Sequence, residues 1–191
     1  MKQLAQILIF IVISCKSETK TEVKTEVATD LKTENSIDKS VYEMWADFTA
    51  SNPEFKKDTL PDADSFHNNE VDANRLAELI LNKKKQAGSM LYYWFEQANA
   101  DLPQIGTKSI VTDWDGKARA IIAITKVDTI PFNQISKEYA ALDMGTDIEP
   151  LKKWKKAHWD FFAPAMKESG GVPTEEMLIV CEWFETIWPK K

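Results

Sequence analysis

KSIVTDWDGKARAIIAITKVDTI, residues 108–130, carries two apolar, β-branched runs on either side of Asp115-Gly116. Asp-Gly is a favoured pair for a tight two-residue turn, because the glycine accepts a positive φ without steric cost. The stretch therefore reads as a β-hairpin, with one strand over residues 108–113, a turn at Trp114 to Lys117 and a long strand over 118–130 closed by Pro131. Around it the periodicity changes from two to about 3.6. Val41, Met44, Trp45 and Phe48 recur at helical spacing before Asn52-Pro53. Ala73, Leu76, Ala77 and Ile80 mark a second helix, expected over 72–85 and ended by Gly88.

Residues 54–69 read as a polar connection and Ser89 to Phe95 as an aromatic strand. Two further helices are expected over 133–142 and 150–169, the second stopped by Gly170-Gly171. Leu178 to Trp188 reads as a last strand. Helices, a hairpin, helices and a strand in that order make an α+β fold with a small, mostly antiparallel sheet curled into a barrel and flanked by helices.

The chain has 191 residues, enough for one domain of ordinary size. Seven Trp and nine Phe supply large rings for a core. The formal net charge of −6 argues against a surface coated in basic charge that grips nucleic acid along its length. The first 40 residues contain six Lys and six acids, leaving 18 basic and 24 acidic side chains of the totals 24 and 30 to the remainder.

Lys2 precedes an apolar run from Leu4 to Ile13, shorter than the roughly 20 residues a spanning helix needs. Val12-Ile13-Ser14-Cys15 follows and resembles the lipobox of bacterial lipoproteins. The expectation is a signal over 1–14, a lipid-modified Cys15 that holds the chain to a bilayer of the cell envelope, a tether over 15–40 and a domain over 41–191. Lys20-Thr21-Glu22-Val23 repeats as Lys24-Thr25-Glu26-Val27, and residues 16–40 hold no aromatic. Such composition buries too little apolar surface to offset its conformational entropy. With Cys15 acylated, Cys181 has no disulfide partner and reads as a small core residue.

Several segments together resemble the ASCH domain. They are Asn82-Lys83-Lys84-Lys85-Gln86, Ser89-Met90-Leu91, Leu102-Pro103-x-Ile105-Gly106, Ile130-Pro131-Phe132, Trp154-x-x-x-His158-Trp159-x-Phe161-Phe162 and Val180-Cys181-Glu182-x-Phe184. The likeness spans about residues 42–188 and is nearest to the stand-alone bacterial subgroup. It implies a small PUA-like barrel and an RNA-related ligand: a nucleoside, a nucleotide or an RNA fragment. Some bacterial members are similar to amidohydrolases acting on acylated cytidine, and others have been linked to RNA cleavage. The family motif Gly-Lys/Arg-Lys-Thr-x-Thr falls on residues 82–87, which puts the amidohydrolase Lys on Lys84 and the nucleophilic Thr on Ala87. The family's Glu falls near Ala123. Neither alanine carries a reactive group, which favours binding without turnover; an amidohydrolase or ribonuclease using Lys84 with Ser89 or Glu182, and a structural or partner-binding envelope lipoprotein, stay open as alternatives.

The ligand-binding candidates are Lys84, Lys85, Ser89, His158 and Glu182. Lys84 at a pocket mouth would meet an anionic or carbonyl group, and exposed lysines at a helix C-terminus also simply complement its dipole. Ser89 is the hydroxyl nearest Ala87, but a strand carries it about 7 Å along. His158 belongs to a stripe with Trp154, Phe161, Phe162 and Ala165, where it serves either as a packed residue or as a ligand contact. In the last strand Val180, Glu182 and Phe184 share one face, and Ile179, Cys181 and Trp183 the other. Glu182 therefore needs a partner, either a structural bond or a pocket role beside Lys84. Lys152, Lys153, Lys155 and Lys156 form the densest basic surface and could join Lys83–Lys85 in an anion-binding stripe. No Gly-rich phosphate loop and no zinc-type Cys spacing is present in the sequence, so no metal or cofactor is expected.

Overall fold

A computed structural model describes residues 37–190. Asp38 caps the first helix, α1 (Lys39–Ser51), by accepting a bond from the Ser40 amide at 2.8 Å. The helix thus starts two residues before the domain boundary expected at residue 41. Val41, Trp45 and Phe48 are its buried face, and Asn52-Pro53 ends it. The connection that follows contains one 3₁₀ turn and a short strand, β1 (Ala63–Ser65). Helix α2 (Glu70–Leu81) leads to β2 (Ala87–Leu91), which runs straight into α3 (Tyr92–Ala98). The hairpin is β3 (Lys108–Thr112) and β4 (Ala118–Pro131). Helices α4 (Lys137–Met144) and α5 (Pro150–Glu168) precede β5 (Leu178–Trp188).

The five strands form one sheet in the order β1-β3-β4-β5-β2. All neighbours are antiparallel except β1 and β3. Two register shifts on β4 against β5, at Ile121/Ile122 and Ile124/Lys126, bend and twist the ladder. The sheet curls into a half-barrel whose edges, β1 and β2, do not pair with each other. This is the expected α+β, PUA-like fold, left open on one side.

Each face of the sheet has its own cover. On the inner face Val111, Ile122 and Phe184 pack on Ala77 and Ile80 of α2. Outside, Ile110 and Ile121 take Val41, Trp45 and Phe48 of α1. Further along the outer face Ile179 and Cys181 meet Tyr139, Trp154 and Phe162 of α4 and α5. The alternation expected on β5 is present, and Cys181 is the buried core thiol it was read as, its pKa pushed up to about 12 chiefly by burial. Full burial of a ring such as Trp154 contributes about 3 kcal/mol or more.

Four expectations about elements need correction. Helix α2 stops at Leu81 rather than Lys85. Asn82 Nδ2 binds the Glu78 carbonyl at 2.9 Å and Lys83 takes a left-handed φ of 56°, which turns the chain out of the helix. The aromatic run after Leu91 is helical, because Trp94 then stacks edge-on against both Phe161 and Phe162. The polar connection contains β1, held by pairing to β3 rather than by any periodicity of its own. Helix α4 starts at Lys137, capped by Ser136, which carries its last turn to Asp143 and Met144. Among the described residues no helix is long and apolar enough to cross a membrane.

Candidate functional site

Asp143 is the hub of the site. It lies in the last turn of α4, 2% exposed, and its carboxylate draws donors from several elements. Lys85 Nζ pairs with Oδ1 and also binds the Asp143 backbone carbonyl at 2.8 Å. Three groups converge on Oδ2: Ser89 Oγ donates at 2.6 Å, Trp154 Nε1 donates at 2.7 Å, and His158 Nε2 lies at 3.3 Å. The Tyr139 hydroxyl sits between Ser89 Oγ, 2.9 Å away, and the Gly88 carbonyl.

Burial by itself would raise the Asp143 pKa. The Lys85 charge, His158 and their hydrogen bonds overcome it and hold the carboxyl well below the usual range. Burial and the Asp143 charge push Tyr139 well above its ordinary value. Asp143 thus stays a carboxylate and Tyr139 a neutral phenol.

The web opens onto a cavity of about 380 Å³ inside the half-barrel. Phe66, Trp94, Phe161 and Phe162 give it aromatic walls, and Glu182 and Ser89 line it from β5 and β2. A smaller hollow of about 150 Å³ shares His67, Lys85, Asp143 and His158 with it, so the two are compartments of one cleft. Gly88 stands opposite Glu182 across the β2–β5 ladder. A Cβ there would sit 3.5 Å from the Phe66 ring, so Phe66 folds over the strand at that point. His67 leans on Phe161 with ring centroids 5.1 Å apart and binds Asn69 Nδ2 at 2.8 Å.

Lys85, Ser89, His158 and Glu182 all line this cleft. Lys84 does not. It is exposed, because the left-handed Lys83 sends Lys84 outward and Lys85 inward. Glu182 therefore has no Lys84 beside it, and its side chain makes no ion pair or hydrogen bond among the described residues. Burial pushes its pKa up to about 7. The lysine stripe loses three of its members. Lys85 is inside, while Lys152 pairs with Glu149 at 3.0 Å and Lys156 with Asp160 at 2.6 Å. Cys15 lies outside the described residues.

Asp143, Tyr139, Trp94, Phe66 and His67 are site residues that sequence reasoning missed. Leu142-Asp143-Met144 offered one signal, an acid between two apolar residues at a helix end. When the family motif is moved one residue so that its second Lys is the inward Lys85, its last Thr falls on Gly88, again without a hydroxyl. On β4 Ile122 and Ile124 line the cleft and Ala123 does not. No acidic residue of that strand is among the lining residues.

A family model described as the ASCH domain matches residues 62–188. No curated protein matches the chain. The solved ASCH domain from Lactobacillus crispatus JV V101 is similar at 32% identity and a TM-score of 0.72, covering 80% of this chain and 96% of that one. A protein from Enterococcus faecalis V583 is similar at 27% identity and a TM-score of 0.69, covering 78% and 88%. With the motifs, the open half-barrel and these matches in agreement, the chain belongs to the ASCH domain family and is a binding domain of the PUA-like kind.

Proposed function

We propose that the protein is a membrane-tethered binding domain that holds a nucleoside in the cleft of the half-barrel without turning it over. The observation that carries this reading is the cavity itself: about 380 Å³, walled by aromatic rings and set with a few polar groups. That is the size and lining of a small-ligand site rather than of a groove for an extended strand. A base stacked on an aromatic ring gains about 1–3 kcal/mol.

Charge favours the nucleoside over a nucleotide or an RNA fragment. The Lys85 charge is spent on Asp143, and Arg75 on the rim binds Asp72 at 2.7 Å. Asp62, Asp64 and Glu182 face the same space without an ion pair among the described residues. Phosphates would enter against the Asp62 and Asp64 carboxylates, with no free cation among the lining residues to meet them.

Chemistry favours binding over hydrolysis. The Ser89 hydroxyl donates to Asp143, and a carboxylate held far below its usual pKa is a weak base. The rival reading, an amidohydrolase or ribonuclease of the ASCH type, rests on that same Ser89–Asp143 contact. A third, a structural or partner-binding envelope lipoprotein, requires the cleft to stay empty.

Calorimetric titration separates the three. Adenosine or cytidine should bind, their 5′-monophosphates should bind more weakly, and no product should form. Turnover of acetylated cytidine that disappears in Ser89→Ala would establish the enzyme, and no heat with any nucleoside would leave the structural role. For the tether, Cys15→Ser should move the protein from membranes to the soluble fraction, since acyl burial contributes about 0.8 kcal/mol per CH₂. Unchanged membrane association would contradict it.

A further inference from the structure

Glu182 is a carboxyl group that the fold places but does not use. It projects from the middle of β5 onto the inner face, between the core residues Val180 and Phe184, and lines the cavity. Its side chain has no hydrogen bond or ion pair among the described residues, although the web around Asp143 leaves no buried polar side-chain atom unpartnered. Its opposite neighbours across the ladders are Gly88 on β2 and Val127 on β4, neither of which titrates or donates from a side chain.

The titratable groups that share its cavity are Asp62, Asp64, His67, Lys85, Asp143 and His158. Lys85 is committed to Asp143, and His158 stacks on Trp154 with Nε2 toward Asp143. Asp62 and Asp64 oppose any second negative charge. Nothing in the cleft pairs with an ionised Glu182, and a ligand that covers it removes the water that remains.

We propose that Glu182 reads the hydrogen-bonding edge of the ligand as a neutral carboxylic acid, donating one bond and accepting one. The matching edge offers a ring-nitrogen acceptor beside an N–H donor, as an aminopurine or aminopyrimidine does. A carboxylate would instead demand two donors side by side. Burial already raises Glu182 to about 7, so the acid form is well populated at neutral pH before any ligand arrives. This assignment rests on the nucleoside reading of the cleft.

The test is adenosine binding by calorimetry to the full chain in detergent, at pH 6 and pH 8, with purine riboside as the analogue lacking the amino donor. Wild-type affinity should fall about tenfold from pH 6 to pH 8 as the acid form is lost. Glu182→Gln, whose amide also gives one donor and one acceptor, should keep the pH 6 affinity at both values. Glu182→Ala should lose about tenfold at pH 6, and purine riboside should bind wild type about tenfold more weakly than adenosine. Affinity that rises with pH, or a Gln variant as weak as the Ala variant, overturns the proposal. Adenosine binding equal in all three proteins overturns the role of Glu182 and leaves the nucleoside reading standing. No binding of adenosine or cytidine to wild type overturns that reading and this assignment with it.

Discussion

Asp143 and Glu182 are two acids of one cleft in opposite electrostatic positions. Asp143 is surrounded by donors and stays ionised. Removing its charge strands the Lys85 ammonium, 4% exposed, against a lone carbonyl. Breaking a buried pair in this way costs about 3–5 kcal/mol, so Asp143→Asn should lower unfolding stability by that amount in denaturant titrations at pH 7. A loss below about 1 kcal/mol would show that the pair is not buried as described. The Asp143 pKa is depressed on folding, so its contribution is present above the unfolded value near 3.8 and is lost as pH falls below it. The deficit of Asp143→Asn should therefore shrink below about pH 4. Glu182 has the opposite sign. Its pKa is raised from 4.5 to about 7, so the stability linked to it is complete below pH 4.5 and is lost as pH rises through 7. Glu182→Gln should match wild type in Tm near pH 4 and exceed it at pH 8. A constant gap across that range would contradict the assignment. Glu182 was legible in the sequence because strand alternation alone puts it among apolar neighbours. Asp143 was not, because its place depends on where α4 ends, and Lys84 was named beside Lys85 because helical periodicity says nothing of a left-handed Lys83.

The helix ends carry the site, and glycine decides one of them. Gly145 closes α4 with a φ of +64°, its amide bound to the Ala141 carbonyl. A Cβ there would strain the backbone and sit 3.3 Å from Leu79 Cδ1 and 3.5 Å from the Lys84 carbonyl carbon. Gly145→Ala should therefore cost about 1–2 kcal/mol and loosen the turn that aims Asp143 at Lys85. Equal thermal midpoints for wild type and variant would contradict it. The long elements, the β3–β4 hairpin, α5 and β5, were readable because periodicity accumulates over many residues. β1 was not, because three residues carry no period and only their pairing with β3 defines them. α3 was misread because Tyr92 to Phe95 favour strands by residue type, while packing of Trp94 on α5 selects the helix.

At the largest scale the described residues form an open half-barrel with helices packed on both faces, and α1 ties its outer face to the hairpin. Ser40 Oγ accepts from the Ala118 amide at 2.8 Å, and Asp38 caps the same helix. A chain beginning at residue 41 lacks both bonds and should be about 1–2 kcal/mol less stable than one beginning at 37, read from chemical unfolding. Equal stability would show that the helix start contributes nothing. The central claim is that the open side of this sheet is a nucleoside site, and a crystal of the protein grown with saturating adenosine tests it most directly. The account predicts the base stacked among Phe66, Trp94 and Phe161, with its amino edge on Glu182. Adenosine seated instead on the lysine face of α5, with the cleft unoccupied, would contradict it.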